Sequence, residues 1–217
     1  MITRAILFDL DGTLADTAMD LASALNRLRG ERGLDPISPE LARPHTSSGA
    51  RGLLKIGFDL APEDPDYAPL RDRFLELYAE SLCVDTILYE GVPELLLDLE
   101  SRNLPWGIVT NKSTRFTEPL LELLGLRHRA ACVVSGDTTG KTKPAPDPLL
   151  RAAADLGIAA SACLYIGDDL RDVQAARAAN MGVIAAGWGY LGVNGTPGTW
   201  GADAVVERPA QVLDFLA

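Results

Sequence analysis

The sequence predicts an α/β protein: a doubly wound parallel sheet of Rossmann type with a helical cap inserted after the first strand. Three observations carry this reading. Short apolar runs ending in polar or glycine residues recur along the chain, helical stretches separate them in the second half, and between about residues 16 and 88 the strand-like runs stop. Residues 5–9 form the first such run, apolar up to an acidic end, which suits a buried parallel strand followed by a tight turn. Further strands are predicted over 106–110, 131–135, 163–167 and 183–186, with 202–206 as an edge strand. The helices between them are expected over 92–102, 117–124, 147–156 and 170–181, the last three closed by Gly125, Gly157 and Gly182.

The stretch without strands reads as a cap of successive helices over 16–29, 50–58 and 70–82, with Ser38 capping another helix that starts at Pro39. The predicted division is therefore a core of residues 1–15 and 88–217 and a cap of residues 16–87. Its borders at 13–16 and 84–91 would be adjacent linkers, the arrangement of a hinge under an opening lid.

A chain of 217 residues buries roughly 70% of its extended surface, so the fold needs no disulfide or structural metal. Thirty acidic against 20 basic side chains give a formal charge of -10 without a basic run, which argues against nucleic acid as a partner. Cys83, Cys132 and Cys163 are odd in number and widely spaced, as expected of reduced thiols in a cytoplasmic protein. His45 and His128 are the only histidines, so carboxylates must carry any chemistry. No signal peptide is visible. Glycines and Pro197 punctuate the uncharged stretch 178–202, which excludes a continuous spanning helix and predicts a soluble protein without a membrane partner. A monomer or weak homodimer is expected.

In open α/β sheets ligands bind at the carboxyl ends of the strands, and here those ends are polar. They read Asp9-Leu-Asp11-Gly12-Thr13, Thr110-Asn111, Lys143-Pro144 and Gly167-Asp168-Asp169 with Asp172 one turn on. Singly, each is a common turn, loop or helix start. Together, carboxylates converging on one edge repel one another unless a cation intervenes, and a hard divalent ion such as Mg²⁺ suits oxygen ligands.

In that order these four segments resemble the motifs of the haloacid dehalogenase superfamily of phosphatases, over the whole chain. The insert resembles the cap of the phosphoglycolate phosphatase group. Ser48-Gly49-Ala50-Arg51-Gly52, Val109-Thr-Asn-Lys112 and Gly189-Tyr190 look like bacterial N-acetylmuramic acid 6-phosphate phosphatases. The resemblance implies Mg²⁺-dependent hydrolysis of a small phosphorylated metabolite through an aspartyl-phosphate. Asp9 would be the nucleophile and Asp11 the general acid and base. Gly12 would let the backbone approach the phosphoryl group, Thr110 and the Asn111 amide would donate to it, and Lys143 would neutralise its charge. The metal would be held by Asp9, the main-chain carbonyl of Asp11 and Asp168. Either Asp169 or Asp172 would support it, Asp172 being favoured through a second shell or water.

Substrate choice is expected to reside in the cap, at Ser48, Gly49 and Arg51, whose guanidinium matches a carboxylate in two parallel hydrogen bonds. Both 2-phosphoglycolate and N-acetylmuramic acid 6-phosphate carry that carboxylate. A sugar phosphomutase with the same motifs and a phospho-accepting receiver-like module are the competing readings. A receiver needs neither Asp11 nor a helical lid.

Overall fold

The computed structural model describes residues 3–193 and 195–216. Strand β1 (Ala5–Phe8) is fully buried and pairs in parallel with β4 (Trp106–Val109) on one side and β6 (Cys163–Gly167) on the other. β5 (Cys132–Val134) lies outside β4, while β7 (Gly182–Ala186) and β8 (Ala204–Val206) extend the sheet beyond β6. The order is β5-β4-β1-β6-β7-β8, every pair parallel, as the apolar runs predict.

Alternate residues of each strand feed opposite faces, so the period of two builds two cores. Ile6, Phe8, Trp106, Ile108, Ile166 and Ile184 belong to one apolar cluster. Ala5, Leu7, Val109, Tyr165 and Val183 belong to the other. Helices α5 (Val92–Ser101), α6 (Thr114–Leu123), α7 (Asp147–Leu156) and α8 (Leu170–Ala178) alternate with the strands.

Four helices fill the excursion after β1: α1 (Ala18–Glu31), α2 (Pro39–Thr46), α3 (Gly49–Phe58) and α4 (Tyr67–Glu80). Leu21, Leu25 and Leu28 recur on one face of α1 and meet Leu70, Phe74 and Leu77 of α4. Burying each such side chain contributes about 1.5–3 kcal/mol. This cluster is continuous with one face of the sheet, so the insert and sheet share apolar packing.

Four local features depart from the sequence expectations. The linkers pair as a short antiparallel ribbon, β2 (Ala15–Asp16) with β3 (Ile87–Leu88), although two residues carry no readable periodicity. Helix α6 begins at Thr114, after an extended Ser113, and takes Pro119 into its interior. Helix α8 stops at Ala178 because Asn180 adopts a left-handed conformation (φ 58°), which Asn tolerates better than most residues. A 3₁₀ turn over Pro209–Phe215 packs on α5 without having been anticipated.

The exit linker is held from α1. Buried Asp20 accepts hydrogen bonds from the backbone N–H groups of Val84 (3.1 Å), Asp85 (3.0 Å) and Thr86 (3.0 Å), and from the Thr86 hydroxyl (2.6 Å). Three amides and a hydroxyl thus compensate one buried carboxylate.

Candidate active site

The chain runs from β1 through β4 to β5 on one side, then returns past β1 to β6, β7 and β8 on the other. Strand order therefore reverses beside β1, and the crevice at such a switch point is where an open α/β sheet binds ligands. Asp9 follows β1 directly. Its Oδ1 lies 2.9 Å from Lys143 Nζ, whose other carboxylate neighbour is Asp172 Oδ1 at 2.7 Å. Lys143 also donates to the carbonyl of Val109 (3.0 Å) and to the Tyr165 hydroxyl (2.8 Å). The reciprocal bonds of the Asn111 carboxamide with the main-chain N–H (2.9 Å) and carbonyl (3.0 Å) of Lys143 fix the loop that delivers the ammonium. Burial opposes the charge on Lys143, but Asp172 and Asp9 hold its pKa above the usual lysine value.

Asp168 directly follows β6, beside Asp9. Its Oδ1 accepts from Thr13 Oγ1 (3.0 Å) and its Oδ2 from the Tyr190 N–H (2.8 Å). Gly12, with φ +87°, presses against this carboxylate: a Cβ there would lie 2.2 Å from Asp168 Oδ2, and one on Gly189 2.3 Å from Asp168 Cβ. Gly12 is thus required by close approach as well as conformation, and Gly189 by close approach.

Asp169 and Asp172 divide their work clearly. Asp169 caps α8 and pairs with Arg171, which holds its pKa below the carboxylate norm despite burial. Asp172 completes the capping box with one oxygen and turns the other to Lys143. Oxygens of Asp9, Asp168 and Asp172 lie within 4.8 Å of one another. Three carboxylates against the Lys143 ammonium leave two negative charges uncompensated, the charge of one divalent cation. Burial pushes the Asp9 pKa up to about 7, Lys143 opposing it and Asp172 adding to it. Asp168 is also raised well above the carboxylate norm, by burial and then by Asp9 and Asp172. An all-oxygen, anionic, buried set of this kind fits a hard cation.

Asp11 faces a cavity of about 320 Å³ between the sheet edge and the helical insert. Its Oδ1 accepts from Thr17 Oγ1 (2.6 Å) and from Lys112 Nζ (2.8 Å). Lys112, two residues past Thr110, sits 4.8 Å from the centre of the Tyr78 ring on α4. Burial works against its charge, yet Asp11 keeps its pKa above the lysine norm. Thr110 accepts from the Lys112 N–H (3.1 Å), leaving its hydroxyl proton to donate into the cavity it lines. The Asn111 carboxamide spends its oxygen and one N–H on Lys143, so its second N–H and the main-chain amide of Asn111 remain as donors for a ligand.

On the insert side, Thr46, Ser47, Ser48, Gly49 and Ala50 line the cavity, but Arg51 does not. Successive helical residues turn by about 100°, and Leu53, Leu54 and Gly57 claim the buried face of α3. Arg51 consequently shares the exposed stripe with Lys55. Arg51, expected in the substrate wall, thus lies outside the lining of this cavity. Sequence reasoning also passed over Lys112, Tyr165 and Arg171. Arg171 grips both oxygens of Asp169, donates to the Ser47 carbonyl and lines the cavity. The acidic and basic residues flanking strand ends offered a signal for Lys112 and Arg171; Tyr165, inside a strand, offered none.

A parallel sheet with aspartates and a lysine gathered at its switch point defines a Rossmann-like α/β protein with an acidic site built around one ammonium. The chain belongs to the haloacid dehalogenase-like hydrolase family, whose model matches residues 6–186. Its relatives place it among the phosphatases of that family. It is 41% identical over 216 residues to an N-acetylmuramic acid 6-phosphate phosphatase of Pseudomonas aeruginosa, covering 100% of this chain and 96% of the relative. It is 43% identical over 214 residues to a phosphoglycolate phosphatase of Xanthomonas campestris, covering 97% and 95%. Among solved structures, a predicted phosphoglycolate phosphatase from Haemophilus somnus superposes with a TM-score of 0.88 at 26% identity, covering 99% of this chain and 98% of that one. Among the described residues, no helix is long and apolar enough to cross a membrane, and all three cysteines are free thiols.

Proposed function

We propose that this phosphatase hydrolyses a small phosphomonoester by double displacement at Asp9, with Mg²⁺ as cofactor. The observation carrying this reading is the Asp9–Lys143–Asp172 cluster at the switch point, half-buried at Asp9 and buried at its other two members, with Asp11 two residues on, facing the cavity. The Asp9 carboxylate attacks phosphorus and displaces the alkoxide, forming an aspartyl-phosphate that water then cleaves. Asp11 gives a proton to the leaving oxygen and later takes one from the water. Thr110, the Asn111 N–H and Lys143 oppose the charge spread over the equatorial oxygens. Asp9, Asp168 and the Asp11 carbonyl would hold Mg²⁺, with Asp172 in support. The metal would supply charge compensation for the phosphoryl group. Helices α1–α4 act as the cap, their linkers joined by the β2–β3 ribbon as a hinge.

The cavity favours N-acetylmuramic acid 6-phosphate over 2-phosphoglycolate. Leu21, Phe74, Leu75, Tyr78 and Phe116 give it an apolar wall, and its volume falls in the range of roughly 300–1,000 Å³ typical of sites for larger organic ligands. A two-carbon acid leaves that wall uncovered, whereas a sugar bearing acetamido and lactyl groups covers it. Release of inorganic phosphate from both compounds, with Mg²⁺ and with EDTA, tests the reading. The expected result is a higher kcat/KM for the sugar phosphate, loss of activity in EDTA and inactivity of Asp9→Asn. Release of phosphate by Asp9→Asn at the wild-type rate refutes the nucleophile assignment. Accumulation of an isomeric sugar phosphate instead of inorganic phosphate establishes a mutase.

A further inference from the structure

We propose that Lys112 selects substrates whose leaving group carries a carboxylate: on binding, its ammonium exchanges Asp11 for the carboxylate of the substrate. The inference rests on the phosphatase reading and concerns which cation recognises the non-transferred half of the molecule. With Arg51 exposed and outside the cavity wall, three cationic side chains among the described residues line the cavity: Lys112, Lys143 and Arg171. Lys143 is held between Asp9 and Asp172 and by two further acceptors. Arg171 is committed to both oxygens of Asp169 and to the Ser47 carbonyl. Lys112 differs. Its side chain is only 8% exposed, and its one carboxylate partner is the group that the reaction needs free.

The surroundings suit such an exchange. The Tyr78 ring, 4.8 Å from Nζ, offers its π-face to the ammonium whichever carboxylate is its partner. Asp11 keeps the Thr17 hydroxyl at 2.6 Å when Lys112 leaves, so its carboxylate is not stranded. One carboxylate replaces another, and the buried ammonium never loses an anion. A neutral leaving group supplies no replacement. Lys112 then stays on Asp11, and the proton donor to the leaving oxygen stays tied.

Two substrate pairs isolate the carboxylate: N-acetylmuramic acid 6-phosphate against N-acetylglucosamine 6-phosphate, and 2-phosphoglycolate against ethyl phosphate. The wild-type enzyme is expected to prefer the acidic member of whichever pair it hydrolyses. Lys112→Met is expected to reduce that preference roughly ten- to a hundredfold, the measured range for hydrogen bonds to charged groups, chiefly through KM for the acidic substrate. Lys112→Gln, which keeps a polar side chain without the charge, gives the same result, and Lys112→Arg restores part of the preference. Equal losses on acidic and neutral members in the uncharged variants overturn the proposal and leave Lys112 as a positioning residue for Asp11. A wild-type enzyme without preference overturns it as well. No phosphate release from any of the four compounds in Mg²⁺ refutes the phosphatase reading itself, a distinguishable failure.

Discussion

Replacing Asp20 by Asn tests whether the insert is anchored through the exit linker. The carboxylate accepts three bonds at Oδ2, from Val84, Thr86 and the Thr86 hydroxyl, and one at Oδ1 from Asp85. An Asn of the same shape places its single carbonyl oxygen where three donors converge and turns its NH₂ toward the Asp85 N–H. Three charge-assisted bonds become neutral, a loss of about 1 kcal/mol each, and the part-buried Asp85 N–H loses its acceptor at about 1 kcal/mol. Relief from burying a charge offsets part of this, leaving about 3 kcal/mol net. For a chain of 217 residues that is a fall in Tm of about 6–12 °C. Thermal unfolding followed by circular dichroism measures it, and limited proteolysis locates it, since a freed segment around Val84–Thr86 becomes the preferred cleavage site. Asp20→Ala, which abolishes all four bonds, is expected to be less stable still. A fall below about 2 °C, with no new cleavage at the linker, refutes the claim that this carboxylate organises the hinge.

Three further outcomes follow from the charge balance at the sheet edge. Mg²⁺ at a hundredfold excess over its Kd stabilises a protein that binds it only when folded by about 2.7 kcal/mol, so adding it to EDTA-treated protein is expected to raise Tm by about 5–10 °C. Asp168→Asn is expected to raise the Tm of the metal-free protein, by removing one of three crowded carboxylates, and to abolish the Mg²⁺ increment. Differential scanning calorimetry shows both, and an unchanged increment removes Asp168 from the metal set. Lys143→Met strands Asp9 and Asp172 without their cation and is expected to destabilise by about 3–5 kcal/mol. Adding Asp172→Asn is expected to recover part of that loss in urea denaturation, and a double variant no more stable than the single one contradicts the pairing.

The sheet was legible in the sequence because a parallel sheet covered on both faces requires continuous apolar runs, and the runs at 5–9, 106–110 and 163–167 have no other economical use. The acidic tips of those runs were legible for the same reason: Asp9 and Asp168 interrupt an apolar pattern at the point where the chain leaves the sheet. What stayed hidden depends on rotation and partnership. Arg51 sits beside three cavity residues in sequence, yet one helical step turns it to solvent. Tyr165 reads as core, and only the folded structure shows its hydroxyl receiving a hydrogen bond from Lys143. Lys112 follows a polar pair at a strand end and has no evident role in sequence until α4, distant along the chain, closes over it with Tyr78.

Strands β2 and β3 leave the sheet edge as immediate neighbours, hydrogen-bonded to each other. To the sheet, everything between Asp16 and Ile87 is the tip of a hairpin. Closing a long excursion costs little more entropy than closing a short one, because the penalty grows only with the logarithm of its length. A different set of helices spliced at the same two points would therefore leave the strand ends that carry Asp9, Lys112 and Asp168 in register.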